Sequence, residues 1–225
     1  TFNLGATAPE EPGNYYGWGC PEPYADGENA DWETYFQKIG GTGTAQEDCG
    51  TDKDPLKDFV KPNYKSIAGT QWDAVYKKLG GNWRMPTEKE MQELVDNCTW
   101  TWDDVKKGYT ITSKKYPEKS IFMLISGYRT ESKVEYMGYM GFNWTSAPYE
   151  LYPFYACSSL LASDFVYASS NNNRSNGLPI RPVYVDQKPD YVDLGLPSGT
   201  KWATCNLGAS APEEAGDYYG WGCAT

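Results

Sequence analysis

The chemistry open to this chain is bounded by what it lacks. It carries six cysteines (Cys20, Cys49, Cys98, Cys157, Cys205 and Cys223) and no histidine. A serine or cysteine nucleophile is ordinarily activated by a neighbouring imidazole, and imidazole is the commonest metal ligand. The usual Ser-His and Cys-His catalytic pairs and the commonest metal ligand are therefore removed. No two cysteines form C-x-x-C, which disfavours zinc ribbons and thioredoxin-type redox pairs. Scattered cysteines fit structural disulfides made in an oxidising compartment, with buried free thiols as the alternative. Asp48, Asp52, Asp54 and Asp58 cluster, but Leu56 breaks the spacing of a calcium loop, so a solvated acidic loop is expected. No catalytic residue, metal or cofactor is assigned.

Recognition has more material. Aromatic residues reach 16%, with nine Trp and 19 Tyr. The interval 143–174 gathers Trp144, Tyr149, Tyr152, Tyr155, Tyr167, Asn171, Asn172, Asn173 and Arg174. Aromatic faces stack on sugar rings or fill partner pockets, while amides and a guanidinium direct hydrogen bonds. Trp144, Tyr149, Tyr152, Asn171, Asn172, Asn173 and Arg174 are the candidate ligand residues. Against this, Trp144, Tyr155 and Tyr167 read singly as core residues and the asparagine run as a turn. The net charge of −10 repels phosphate backbones, so nucleic acid is not an expected partner. The longest strongly apolar run, Ile121 to Ile125, is far too short to span a bilayer.

The frame that must position these residues is repetitive. Residues 1–22, TFNLGATAPEEPGNYYGWGCPE, align with residues 204–225, TCNLGASAPEEAGDYYGWGCAT, at an offset of 203; 16 of 22 positions are identical. A chain of 225 residues thus holds about one repeat unit and the opening of another. The polar stretch 187–190, containing Pro189, reads as the linker between a first domain at 1–186 and a following segment at 191–225. The stretch YVDLGLPSGTKWATCNLGA, from Tyr191, reads as a domain opening with no counterpart before Thr1. The first domain is therefore expected to lack its opening strand. The tandem frame is the simpler reading, and donation of residues 191–204 to a neighbouring copy is the rival. Val192, Leu194, Leu196 and Trp202 are the candidate assembly residues in both.

Apolar residues at Trp72, Val75, Tyr76 and Leu79 predict a helix over 70–79, capped by Thr70. Thr87 and Glu90 form a capping box ahead of Met91, Leu94, Val95 and Cys98, a second helix. The period then becomes two. Strands are predicted from Cys98, at 109–113, 120–126, 141–146, 154–158, 164–168 and 178–185. Residues 20–69 lack periodicity and read as a long, partly ordered loop with a short helix at 30–38. Helices followed by a block of antiparallel strands define an α+β class. The glycines of YYGWG at Tyr15 to Gly19 read as close-packing positions rather than a site.

The stretches VDLGLPSGTKWATCNLGA, GGNWRMPTEKEMQELVDNCTWTW, GYTITSK, SIFMLISGYR and GLPIRPV resemble the Fibrobacter succinogenes major paralogous domain family. That resemblance covers nearly the whole chain. It implies a C-type-lectin-like fold in the formylglycine-generating-enzyme-like branch: two helices plus a twisted antiparallel sheet with long loops. It also implies a secreted or cell-surface protein of Bacteroidota built from tandem repeats, with the 143–174 region on the ligand face. Neither the reactive cysteine pair of the enzymes nor the Glu-Pro-Asn type tripeptides of calcium lectins occur. Phe2 stands where the second copy has Cys205, so a family disulfide through that position is not available to this copy; if Cys98 is its partner in the family, Cys98 is free here or paired with Cys157. Together with Cys20 and Cys49, which flank the long loop, this gives Cys20–Cys49 and Cys98–Cys157 as the expected bridges, although four cysteines allow three connectivities.

Two functions follow as expectations. One is a non-enzymatic structural repeat of an extracellular bacterial fibre or stalk, assembled head to tail with neighbouring repeats or identical subunits. The other is an adhesin domain that binds a glycan or surface protein through 143–174.

Overall fold

The computed structural model describes residues 2–185 and 191–206, together with 209, 213, 215, 216 and 218. The chain divides into two compact units, residues 1–185 and 186–225. Unit 1 is α+β, with few helices and several small antiparallel sheets.

The first helix, α1 (Trp32–Lys38), starts at Asp31, whose carboxylate accepts the Thr34 N–H. It buries Tyr35 and Phe36. The second, α2 (Ala74–Leu79), is shorter than the spacing predicts. Thr70 does not cap it: the Thr70 hydroxyl donates to the Ile67 carbonyl and accepts from the Trp72 N–H, closing a turn. Asp73 is the true cap. It is wholly buried and accepts four backbone N–H bonds, from Gly69, Val75, Tyr76 and Met85. Tyr76 and Leu79, predicted to be buried, are 40% and 48% exposed. After the short strand β1 (Trp83–Arg84), α3 (Glu88–Asn97) opens with the predicted capping box, Thr87 and Glu90 bonding reciprocally, and buries Met91.

Strands β2 (Cys98–Asp103), β3 (Gly108–Ser113) and β4 (Ser120–Leu124) form a meander. Its inner face packs Tyr109, Ile111 and Met123 with Trp100 and Trp102, each of which meets Tyr109 edge to face. The hairpin β5 (Tyr128–Thr130) and β6 (Lys133–Glu135) follows. A second meander joins β7 (Met140–Pro148), β8 (Tyr155–Ala162) and β9 (Val166–Asn173), with register shifts on both sides of β8. Of the strand predicted at 178–185, only β10 (Val183–Tyr184) forms, paired with β1.

Residues 20–69 depart from the predicted loose loop. Tyr24, Tyr35, Phe36, Leu56, Val60 and Ile67 are all buried there. Tyr35 and Phe36 enter the core from α1, within the short helix expected at 30–38, whereas Tyr24, Leu56, Val60 and Ile67 enter it from turns and loops, so no period announces them. The opening residues are threaded through the same core. Leu4 N–H donates to Ile180 O, Tyr16 and Leu178 exchange both backbone bonds, and Trp18 N–H donates to Arg174 O. The glycines of YYGWG serve this packing as expected. A β-carbon on Gly17 would lie 2.9 Å from both Cys20 Sγ and a Tyr35 ring carbon. Gly19 takes φ of 81° with Leu56 Cδ1 2.4 Å from where its β-carbon would stand.

The expected bridges Cys20–Cys49 and Cys98–Cys157 are not formed: all five described cysteines are free thiols. Cys98 belongs to the first meander, whereas Cys157 lies in β8 of the second, with its thiol donating to the Pro148 carbonyl at 3.3 Å. Cys20 and Cys49 both sit in the main apolar core.

In unit 2, β11 (Tyr191–Asp193) and β12 (Lys201–Ala203) pair antiparallel as a hairpin, Val192 opposite Trp202. Val192, Leu194, Leu196 and Trp202 are 43%, 58%, 39% and 57% exposed. The next loop copies unit 1. Asn206 Nδ2 donates to Ala215 O and Ala209 N–H to Asn206 O. These match Asn3 Nδ2 to Pro12 O and Ala6 N–H to Asn3 O. Gly216 and Gly13 share a left-handed φ, 70° and 73°.

Candidate functional site

The 143–174 interval is divided by the sheet that carries it. Trp144, on β7, is fully buried, and its indole N–H donates to the Tyr16 carbonyl at 2.6 Å. Arg174, just past β9, is equally buried. Its guanidinium makes two bonds to Asp54, at 2.8 and 3.0 Å, and donates to the Tyr35 hydroxyl and the Pro153 carbonyl. It also stands 5.5 Å from the Trp18 ring centroid and 5.4 Å from that of Tyr35. Both residues therefore leave the expected ligand set, since every polar atom they own is directed inward. Burial by itself would raise the Asp54 carboxyl; the hydrogen bonds and charge of Arg174 overcome it and hold Asp54 below its ordinary value. Nothing in the sequence links residues 54 and 174, which lie on separate elements.

The remaining candidates stay nearer the surface. Tyr149 meets Tyr155 edge to face, Tyr152 stacks on Phe154 at 5.2 Å, and Tyr152 is half-exposed beside exposed Leu151. Asn171, Asn172 and Asn173 are strand residues of β9 rather than a turn, each partly buried. Asn172 donates to the Ser158 hydroxyl across the ladder. Tyr167, read singly as core, is 56% exposed.

A second feature was not foreseen. Unit 1 has a groove with a cavity of about 450 Å³. The segment from Phe2 to Ala6 forms one side, α3 contributes Met91 and Leu94, and Leu79, Trp83 and Tyr184 form a rim. Trp83 and Tyr184 pack edge to face across the β1–β10 pair. Glu90 is the acid in this apolar lining. Two bonds from Arg84, at 2.9 and 2.6 Å, together with Thr87, hold its pKa down to about 2. No sequence signal marked the groove: the helical spacing of Leu79 predicts burial, and only its 48% exposure in the structure places it at the rim.

The three buried thiols, Cys20, Cys49 and Cys157, are poor nucleophiles. Burial pushes Cys20 and Cys49 up to about 12, and Cys157 also upward. The acidic cluster is dispersed: Asp48 pairs with Lys53, Asp52 with Lys57, and Asp54 with Arg174. Among the described residues, no helix is long and apolar enough to cross a membrane.

No protein-family model, curated protein or solved structure matches the chain.

Proposed function

We propose that the chain is a non-enzymatic structural repeat of an extracellular bacterial surface array, with unit 1 a C-type-lectin-like domain of the Bacteroidota type named above. The observation that carries this reading is the repeated loop. The bonds of Asn3 and Ala6 in unit 1 recur at Asn206 and Ala209 in unit 2, behind a hairpin that presents Val192 and Trp202 to solvent. Repetition of sequence and local geometry is what head-to-tail arrays are made from. Protonated, buried thiols support a non-enzymatic role. The lectin-like assignment draws support from the two meanders beside α3 and from the opening segment bonded to the last residues of unit 1. Small-angle scattering on two joined repeats tests the reading: a rod of fixed length supports it, and freely moving beads refute it.

The adhesin alternative rests on the exposed Tyr152, Leu151 and Tyr167 around β8 and β9. A glycan array probed with the chain decides it. Saturable binding that is lost in Tyr152→Ala would establish a ligand face and displace the structural reading.

A further inference from the structure

We infer that the core seat of residues 3–20 in unit 1 also accepts residues 206–223 of a second copy of this chain, so that copies can join by exchanging this segment. Such exchange needs only the duplicated segment and its seat, and it goes beyond both readings of function given above.

The seat is built by distant parts of unit 1. Trp18 is fully buried; its indole N–H donates to the Thr145 carbonyl at 3.0 Å, and its ring lies 5.5 Å from the Arg174 guanidinium. The Tyr15 hydroxyl donates to the Ser126 carbonyl at 2.6 Å. Leu4 and Tyr16 are bonded through their backbones to Ile180 and Leu178. A β-carbon on Gly17 would press on Tyr35, and one on Gly19 on Leu56. An occupant of this seat must therefore bring a tryptophan, a tyrosine and two glycines at fixed spacing.

Residues 206–223 bring all of them. The two copies of the segment differ at the counterparts of 2, 7, 12, 14, 21 and 22, none of which is buried in unit 1. Every buried position, Asn3, Leu4 and the run 15–20, is identical at an offset of 203. The tryptophan returns as Trp221 and the glycines as Gly220 and Gly222. Interior positions decide a packing fit, because a close-packed core tolerates little change of volume. Glu10, which pairs with Lys106 at 2.9 Å, returns as Glu213. Glu22, which pairs with Lys78, is replaced by Thr225, so exchange gives up that exposed ion pair, a contact of little weight. The identity serves the fold of each repeat, and interchangeability is its physical consequence: the seat reads side chains, whichever chain supplies them.

The second copy also presents a side chain that the seat buries. Tyr218, the counterpart of Tyr15, is 92% exposed, whereas Tyr15 is 9% exposed. The turn between the two halves of the segment is already set, since Gly216 holds the left-handed φ of Gly13 and Asn206 the bond of Asn3.

A copy's own segment is tethered to its seat and competes there at an effective concentration on the order of millimolar. The tethered segment therefore holds the seat in dilute solution, and exchange requires that it be weakened or that copies be crowded. The exchanged contact is heterologous, the segment of one copy in the seat of the next, so it propagates as an open head-to-tail series instead of closing as a two-fold dimer.

The experiment uses the full chain. Trp18→Ala weakens the tethered segment by about a hundred- to thousandfold and leaves Trp221 intact. Sedimentation equilibrium should then show open-ended association above about 10 micromolar, a concentration at which wild type stays monomeric. The double variant Trp18→Ala/Trp221→Ala should return to monomer. Wild type supplies a second measurement that stands even if Trp18→Ala fails to fold. Refolded from urea in about 1 mM fluorescent peptide of residues 204–225, about half of the chains should retain peptide. A peptide carrying Trp221→Ala should be retained at least about tenfold less. Equal retention of the two peptides, or retention of neither, overturns the inference. So does a folded Trp18→Ala chain that stays monomeric at every concentration. Association that survives in the double variant, or that wild type shows equally, belongs to another surface and overturns it as well.

Discussion

Asn3 and Asn206 make the same hydrogen bond at an offset of 203 residues, the first to Pro12 O at 2.9 Å and the second to Ala215 O at 3.2 Å. Their burial differs: Asn3 is 2% exposed and Asn206 is exposed. The same substitution should therefore have different costs. Asn3→Ala should lower the stability of unit 1 by about 0.5–1.5 kcal/mol, because the partly buried Pro12 carbonyl loses its donor. Asn206→Ala should leave the main denaturation transition unchanged and accelerate hydrogen exchange at Ala209 N–H. Urea denaturation and amide exchange measure the two effects.

The Asp54–Arg174 pair has both side chains fully buried. Removing one charge strands the other in the core, so Asp54→Ala and Arg174→Met should each cost about 3–5 kcal/mol. The double variant should cost clearly less than the sum of the two. Additive losses in denaturant titration would show that the pair is not coupled.

Glu90 gives a pH signature. Its folded pKa of about 2 lies below the unfolded value of about 4.3. A depressed folded value contributes stability that is fully present above the unfolded pKa and is lost as pH falls toward the folded one. Wild type should therefore exceed Glu90→Gln in stability at neutral pH, with the gap closing between about pH 4.5 and pH 2. A gap that stays constant over that window in pH-dependent thermal melts would contradict the role given to Arg84.

The three buried thiols should be silent in the native state. With Cys20, Cys49 and Cys157 buried and raised, alkylation at neutral pH should miss all three until denaturant is added. Intact mass before and after reduction should show no change attributable to a Cys20–Cys49 or Cys98–Cys157 bridge. A loss of two hydrogens at either pair would restore the disulfide.

The sequence was informative where local chemistry decides structure. Thr87 and Glu90 announced α3 because a capping box needs only four consecutive residues. The period-two run from Cys98 announced the first meander. The α+β class followed from the order of these signals. It was uninformative where distant groups decide. Asp73 won the cap of α2 from Thr70 because the Met85 N–H arrives from beyond the helix to share its carboxylate. Leu56 and Val60 lie in the core without periodicity because turns deliver them. In the candidate site, Tyr149 and Tyr152 lie nearer the surface, but Trp144 and Arg174 are buried. An isolated tryptophan or arginine looks the same in sequence whether it meets a ligand or a buried carbonyl. The groove was invisible because its lining comes from segments far apart in the chain.

The pairing of the opening segment with the last residues of unit 1 has a mechanical consequence. Leu4 bonds Ile180, Tyr16 bonds Leu178 and Trp18 bonds Arg174, so the contacts run in antiparallel order. Tension entering at Phe2 and leaving at Val185 pulls on the same end of that ladder. It opens the contacts in sequence, Leu4–Ile180 first, so the resisting force is that of one or two bonds at a time instead of the whole set sheared together. Under load, unit 1 is a zip fastener that is pulled from its open end.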